Sequence, residues 1–266
     1  MRPRAAVFAF HDVVPEARLA DVAATHRPYA IDPTELRAFL LAARQSGRRP
    51  IPVSQIPGEL GGGFLSLTFD DGSASDYTEA FPVLAELGLR ATFFVVPTLV
   101  DAAGHVTWAQ LREMIAEGME VGSHSMTHPF VDQLDAAGVQ REFGDSKAML
   151  EDRLGTAIRA ASLPRGWAPP HLEPALRALG YRVFCTSRVA WWHPGDEPLA
   201  MPRVGVRRGM PVEEFAAIAD GERAALWRLR AVEAAKNAAK ACLGRRGWNR
   251  VRGPLLGLLY RAEETR

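Results

Sequence analysis

The sequence predicts an α/β fold in which a parallel sheet is interleaved with helices and has enough strands to close into a barrel. Three observations carry this. Apolar runs of strand length alternate with helix-period segments along most of the chain, and repeated alternation needs crossover connections and hence parallel pairing. One run, ATFFVV at 91–96, is apolar almost throughout, as expected of a strand covered on both faces. The 266 residues, 47% hydrophobic and 24% charged, have the composition of an ordinary globular protein with a sizeable core. Seven or so strands favour a barrel, and in such folds the chemistry gathers at the carboxyl ends of the strands.

The elements follow in order. AAVFAF (5–10) reads as a strand rich in Val and Phe. In DPTELRAFLLAARQSG (32–47), Asp32 caps a helix, Pro33 takes its first position, and Leu36, Phe39, Leu40 and Ala43 form one stripe. LSLTF (65–69) is a strand, followed by a helix from about Ser75 to Leu87 that stops at Gly88. After the 91–96 strand come a helix in TWAQLREMIAEG, a strand in MEVGSH, a long helix over roughly Asp135–Leu154, and RAASLP. HLEPALRALG (helix) and YRVFCTS (strand) continue the pattern, and PRVGV offers one more strand. From Pro211 onward the pattern is helical only, which divides the chain into a barrel over 1–210 and a helical, basic extension over 211–266, packed on or beside it.

A net charge of +1 gives no argument for nucleic acid. From Glu222 to Arg266, however, eleven Lys and Arg stand against four Asp and Glu, so the remainder is mildly acidic. A basic tail of this kind is either a solvated helix face or a surface for an anionic membrane. Leu226, Leu229, Val232, Ala239 and Leu243 can share an apolar stripe within it. Cys185 and Cys242 are the only cysteines, which excludes a disulfide framework. The first apolar run is too short for a signal-peptide core and no stretch approaches a membrane span, so the expected compartment is the cytoplasm.

Two stretches could carry chemistry. Asp70 and Asp71 follow a strand directly and precede Gly72. Adjacent carboxylates repel unless a cation or proton lies between them, although an Asp-Asp-Gly turn is also a common structural device. His124 and His128 stand four apart after another strand. Two imidazoles at that spacing can converge on one metal if the backbone turns between them, and many such pairs are merely exposed. Two His and one Asp together suit a hydrolytic divalent metal with open positions.

The combination is more specific than its parts. A strand ending in TFDDG (68–72), followed some fifty residues later by one ending in SHSMTH (123–128), resembles the polysaccharide deacetylase family (carbohydrate esterase family four). The family's leading motifs are T-F-D-D-G and H-[ST]-x-x-H, and the resemblance spans Val7 to about Ser187. It implies a distorted (β/α) barrel, removal of acetyl groups from a glycan or exopolysaccharide, and one divalent metal ion, zinc foremost. Carried over residue by residue, it makes Asp70 the general base and Asp71, His124 and His128 the metal ligands. The family's third motif, R-P-P-Y-G, is matched by SLPRG (162–166) at Pro164 and Gly166. Arg165 replaces the aromatic residue and Ser162 the arginine that usually holds the base. The oxyanion-stabilising backbone N–H can survive at Arg165, since a backbone donor does not depend on the side chain, and Pro164 falls in the substrate-binding set. Whether Arg165 reaches the base stays open.

The family's Asp-Trp motif is matched only in part, by TSRVAWWHPGDEP (186–198). Trp191 and Trp192 can stack on a sugar ring or be packed under the loop, and His193 reads as a surface loop residue. The family's late apolar-x-His motif has no counterpart after residue 187, but FAFHD (8–12) supplies one at the front, as in branches that look permuted. His11 then becomes the candidate general acid, with Asp12 as its partner or a turn residue. The alternative is a histidine that merely ends a buried strand. The implied function is a metal-dependent N-deacetylase. An O-acetyl esterase on the same scaffold and a non-catalytic carbohydrate-binding relative are the competing readings, and the intact Asp70, Asp71, His124 and His128 speak against the last.

Overall fold

Strand β3 (Phe64–Phe69) has neighbours on both edges, and the sheet is laid out from it. The computed structural model describes residues 4–24, 26–59 and 63–235, with residues 238, 239, 242, 243 and 247 beyond them. Along one edge of β3 runs β1 (Ala5–Phe10), paired in parallel from Ala5 with Phe64 to Phe10 with Phe69. On the other edge, β2 (Arg49–Pro50) pairs with the start of β3 and β4 (Thr92–Val95) with its end. The sheet continues through β5 (Glu120–Ser123), β6 (Ala160–Ser162) and β7 (Val183–Cys185), every pair parallel.

The curled sheet is joined back on itself by one short segment. Met201 N donates to Phe184 O (2.9 Å) and Met201 O accepts from Thr186 N (2.8 Å), so this segment lies beside β7. Three residues later β8 (Val204–Gly205) pairs with β1. The result is a distorted (β/α) barrel with seven strands round the ring and β2 off it.

Side chains alternate along each strand. Ala5, Val7, Phe64, Phe94, Val183 and Met201 belong to the inner cluster, while Phe8, Phe10, Leu65, Leu67 and Phe69 join the layer under the helices. On that outer face Phe10, Phe69 and Phe93 stack in sequence across three neighbouring strands, with centroids 4.9 Å apart at each step. Each fully buried Phe contributes roughly 1.5–3 kcal/mol by leaving water.

The helices form where caps and stripes dictate. α1 (Pro33–Gln45) opens with a reciprocal capping box: Thr34 N donates to Asp32 (2.9 Å) and Asp32 N to Glu35 (2.8 Å). Its stripe of Leu36, Phe39, Leu40 and Ala43 is buried. α3 (Trp108–Ala116) begins the same way with Thr107 and Gln110. Two expected helices are interrupted by wider turns. A π-helical turn (Asp76–Ala80) precedes α2 (Phe81–Glu86), and another (Gln140–Asp145) separates α4 (Ala136–Val139) from α5 (Ser146–Leu154). α6 (Leu172–Ala178) follows β6.

α7 (Val212–Asp220) packs against α1, and its Phe215 stacks on Phe8 with centroids 3.9 Å apart. Helical residues 223–235 continue from it, seated by Leu226 and Leu229. Of the expected apolar stripe, Val232 and Ala239 are partly buried and Leu243 is exposed, while most of the basic segment after residue 235 lies outside the described residues. Among the described residues no helix is long and apolar enough to cross a membrane.

The barrel wall is tightest at Gly122. A Cβ there would stand 2.5 Å from Phe94 Cδ1 and 2.8 Å from the Ala160 carbonyl oxygen. Gly122→Ala should lower stability by about 1–3 kcal/mol through overpacking, read as a lower urea midpoint at unchanged slope. An unchanged midpoint would show that β4 and β6 yield without cost.

Candidate active site

Parallel strands aim their carboxyl ends at one rim of the barrel, and the polar residues gather there. His11 follows β1, Asp70 and Asp71 follow β3, His124 follows β5, and Ser162 ends β6. Asp70 continues the inward alternation of Phe64, Ser66 and Thr68, and its N–H still donates to Phe10 O (3.0 Å). The chain then turns sharply: Asp71 has φ 79° and Gly72 φ 70°, in the left-handed region that favours glycine.

Asp70 is 3% exposed, and an unpaired carboxylate so deeply placed would be protonated or strongly destabilising. Its partner is Arg203, just before β8. Arg203 Nη1 donates to Asp70 Oδ1 (2.7 Å) and Nη2 to Oδ2 (2.8 Å), in the fork-to-fork geometry that arginine and carboxylate favour. Arg203 also donates to Thr68 Oγ1 (3.1 Å) and to the Thr186 carbonyl (3.2 Å). Burial pushes the Asp70 carboxyl up, but the guanidinium charge and its hydrogen bonds outweigh it and hold the group below its ordinary value. Arg203 thus takes the place of the arginine missing from SLPRG. Arg165 is engaged elsewhere than at Asp70: its Nε donates to His128 O (3.2 Å) and its guanidinium lies over Phe130.

Asp71, His124 and His128 converge. Asp71 Oδ1 lies 3.3 Å from His124 Nε2 and 3.3 Å from His128 Nε2. His124 Nδ1 is 2.5 Å from Ser162 Oγ, and Ser162 Oγ donates to Asp70 Oδ1 (3.4 Å). With Asp70 ionised the serine hydrogen points to it, so Nδ1–H donates to Ser162 and Nε2 presents its lone pair to Asp71. One carboxylate oxygen and two imidazole nitrogens with free lone pairs are a donor set that fits a divalent cation of the zinc type. Without a cation, a proton on His124 Nε2 would face Asp71 instead: burial raises Asp71, but the hydrogen bond and charge of that imidazolium, with His11 and His128, then hold it far below the carboxylate range. Burial, reinforced by the charge of His124, lowers His128 to about 4, which leaves its ring neutral at physiological pH.

The loop that brings His128 round is strained. Ser125 has φ 63° and His128 φ 58°, and non-glycine residues held there cost on the order of 1–3 kcal/mol each.

The sequence profile described as polysaccharide deacetylase matches residues 58–184. A chitooligosaccharide deacetylase of Rhizobium leguminosarum bv. trifolii is 34% identical over 186 residues, 63% of this chain and 83% of the relative. The chain belongs to the polysaccharide deacetylase family. The solved structure of IcaB from Ammonifex degensii matches at 29% identity and TM-score 0.68, over 82% of this chain and 98% of that one. The deacetylase PplD of Streptococcus pyogenes, solved in complex with acetate, shares the fold at TM-score 0.71 and 22% identity, over 80% of this chain and 96% of that one. Other curated relatives are longer, and the chain spans only 54% and 40% of the length of two of them.

In this member of the family the remaining expected residues divide. His11 lies at the rim, its ring beside Tyr29 (centroids 5.3 Å) and its charge among those that lower Asp70 and Asp71. Arg165 has φ 59° and caps the turn after β6. Pro164 is buried beneath it, so it shapes the turn and offers no face to a sugar. Trp191 and Trp192 are not at this rim, which corrects the expectation that they stack on substrate. Trp192 pairs with Ala5, at the opposite end of β1 (2.9 and 3.1 Å), and fills the barrel interior. Trp191 is buried with Nε1 donating to Ile218 O (3.1 Å) and the Arg4 guanidinium over its ring. His193 is a half-exposed loop residue beside Asp196.

Arg203 is the main functional residue that sequence reasoning missed. The available signal was a charged residue opening an apolar strand, PRVGV. Asp76 is another. It is 1% exposed, and neither carboxylate oxygen has a hydrogen-bond partner among the described residues. Burial, with the nearby charges of Asp12, Asp71 and Asp70, pushes its carboxyl well above the ordinary range.

A carboxyl raised on folding carries no penalty below its unfolded value of 3.8, and stability falls as pH rises from there through the folded value. With chelator present, Asp76→Asn should therefore raise the thermal midpoint at about pH 7 by at least about 2 °C and change it little at about pH 4. Calorimetry at the two pH values checks this, and an equal effect at both would contradict it.

Proposed function

We propose that the protein is a metal-dependent hydrolase that removes acetyl groups from N-acetylated sugars of a glycan or exopolysaccharide. The observation that carries the reading is the convergence of Asp71, His124 and His128 beside a second carboxylate, Asp70, kept ionised by Arg203. The Rhizobium relative named above is a chitooligosaccharide deacetylase and PplD is a deacetylase, and the first supports an acetylated carbohydrate as substrate.

A divalent cation, with zinc the first candidate, would be held by Asp71, His124 and His128 and would supply Lewis acidity toward the acetyl carbonyl and lower the pKa of a bound water to roughly 7. Asp70 accepts the proton of the attacking water. Its carboxylate is oriented by two Arg203 donors and by Ser162, so it has one position in which to do so. The backbone N–H of Arg165 donates to the oxygen that gains negative charge as the carbonyl is attacked. Such a donor contributes about a hundredfold or more in rate. His11, protonated, passes a proton to the departing nitrogen, which leaves as the amine while acetate forms.

The test is acetate release from chitooligosaccharides and from an O-acetylated glycan, before and after chelation and metal return. Release from the N-acetylated substrate should vanish with chelator and return with metal. Asp70→Asn and His124→Ala should each lower turnover by about a hundredfold or more. His11→Ala should slow amides more than esters. Activity untouched by Asp70→Asn would overturn the reading, and release from the O-acetylated glycan alone would favour the esterase.

We also propose that the basic C-terminal segment rests on an anionic membrane surface. Trp227 supports this: it is 70% exposed on a helix seated by Leu226 and Leu229, with exposed Arg223, Arg228 and Arg230 about it. An indole flanked by cations suits the interface between lipid headgroups and chains. The full chain should float with vesicles containing anionic lipid and not with neutral ones, and Trp227→Ala should weaken this. No flotation with either would overturn it.

A further inference from the structure

The loop 125–128 connects the two histidine ligands and contributes no rung to the sheet, so its four backbone N–H groups need other partners. All four are met by side-chain oxygens. Ser125 N donates to Ser123 Oγ (3.2 Å) and His128 N to Ser125 Oγ (3.0 Å). Both middle ones, Met126 N and Thr127 N, donate to a single oxygen, Glu142 Oε2, at 2.9 Å each. The other oxygen, Oε1, accepts from Thr127 Oγ1 at 2.7 Å. Glu142 therefore satisfies half of the loop's amides and fastens its tip.

Its own position follows from the π-helical turn Gln140–Asp145, a kind of turn that recurs at functional sites. The adjoining α5 adds a second tie, since Ser146 Oγ is 2.7 Å from Ser123 Oγ, the hydroxyl that receives Ser125 N. The loop bends through left-handed Ser125 and His128, a shape that persists only when its surroundings over-determine it.

We propose that Glu142 is a positioning residue for the metal centre: its carboxylate holds the strained turn that aims His128 Nε2 at Asp71, and so sets metal affinity without touching the metal. The inference rests on the reading of Asp71, His124 and His128 as metal ligands. It assigns a cause to their geometry that lies outside the ligand set. Partners that orient ligands in this way are typically worth 10–100-fold in metal affinity.

Three variants separate reach, charge and mere loss of structure. Glu142→Ala removes all three bonds. Glu142→Asp keeps the charge but withdraws the carboxylate by one methylene. In Glu142→Gln the amide oxygen can accept both N–H groups and the NH2 can donate to Thr127 Oγ1, so the clamp is rebuilt without the charge. The full-length protein, stripped of metal, is titrated with Co²⁺ and with Zn²⁺ in competition with a chelator. The visible Co²⁺ spectrum reports the ligand arrangement, and the thermal midpoint of the metal-free protein reports the fold.

Glu142→Ala and Glu142→Asp should each weaken metal binding by about 10–100-fold and alter the Co²⁺ spectrum, and Glu142→Gln should restore both to within a few-fold of wild type. Should Glu142→Ala fail to fold, the Asp and Gln pair carries the comparison. Wild-type affinity and spectrum in Glu142→Asp would overturn the proposal. So would a loss of affinity in Glu142→Gln as large as in Glu142→Asp. A wild-type protein that binds neither ion would instead overturn the metal reading itself.

Discussion

The contact between Arg203 and Asp70 sets the terms for the rest of the site. A carboxylate buried at the barrel's rim is ionised only if a matching cation is built in beside it. Arg203 supplies that cation through two near-parallel hydrogen bonds, and its remaining donors reach Thr68 and the Thr186 carbonyl. With Asp70 ionised, the Ser162 hydroxyl has an acceptor. With Ser162 so oriented, His124 keeps its proton on Nδ1 and its lone pair on Nε2. The direction of one buried ion pair thus passes to His124 Nε2 through a single hydroxyl.

Arg203 also belongs to the segment that joins the sheet to itself. Met201 lies against β7, Val204 lies against β1, and Arg203 stands between them. Closing the barrel and compensating the buried charge are consequently the same structural event. The region matched by the family's profile, 58–184, holds both aspartates and both histidines but neither His11 nor Arg203. On the proposed reading the shared motifs supply the reacting groups, and the segment that carries Arg203 sets the protonation state of Asp70.

The chain order of strands and helices was legible, the two-residue β2 excepted, because most strands are apolar and each major helix carries its cap or stripe, as Asp32 and Thr107 illustrate. Asp71, His124 and His128 were legible because strand ends put them on one rim, where local motifs suffice. The Arg203–Asp70 contact was not, since it spans 133 positions and no local pattern links them. Trp191 and Trp192 misled because an aromatic pair in a late loop reads alike whether it faces a ligand or plugs a core. The helix expected over 135–154 hid Glu142 for a different reason: a π-helical turn shifts the phase of the 3.6-residue period at that point.

The burial of Trp192 has a further consequence. Because this indole lies inside the barrel at the start of β1, traffic is confined to the other end. On the proposed reaction, a sugar chain and the acetate cut from it share one doorway. A polymer threaded through the molecule is ruled out by geometry, and one laid across the rim is what the architecture accommodates. Each acetyl group would then be met from the side.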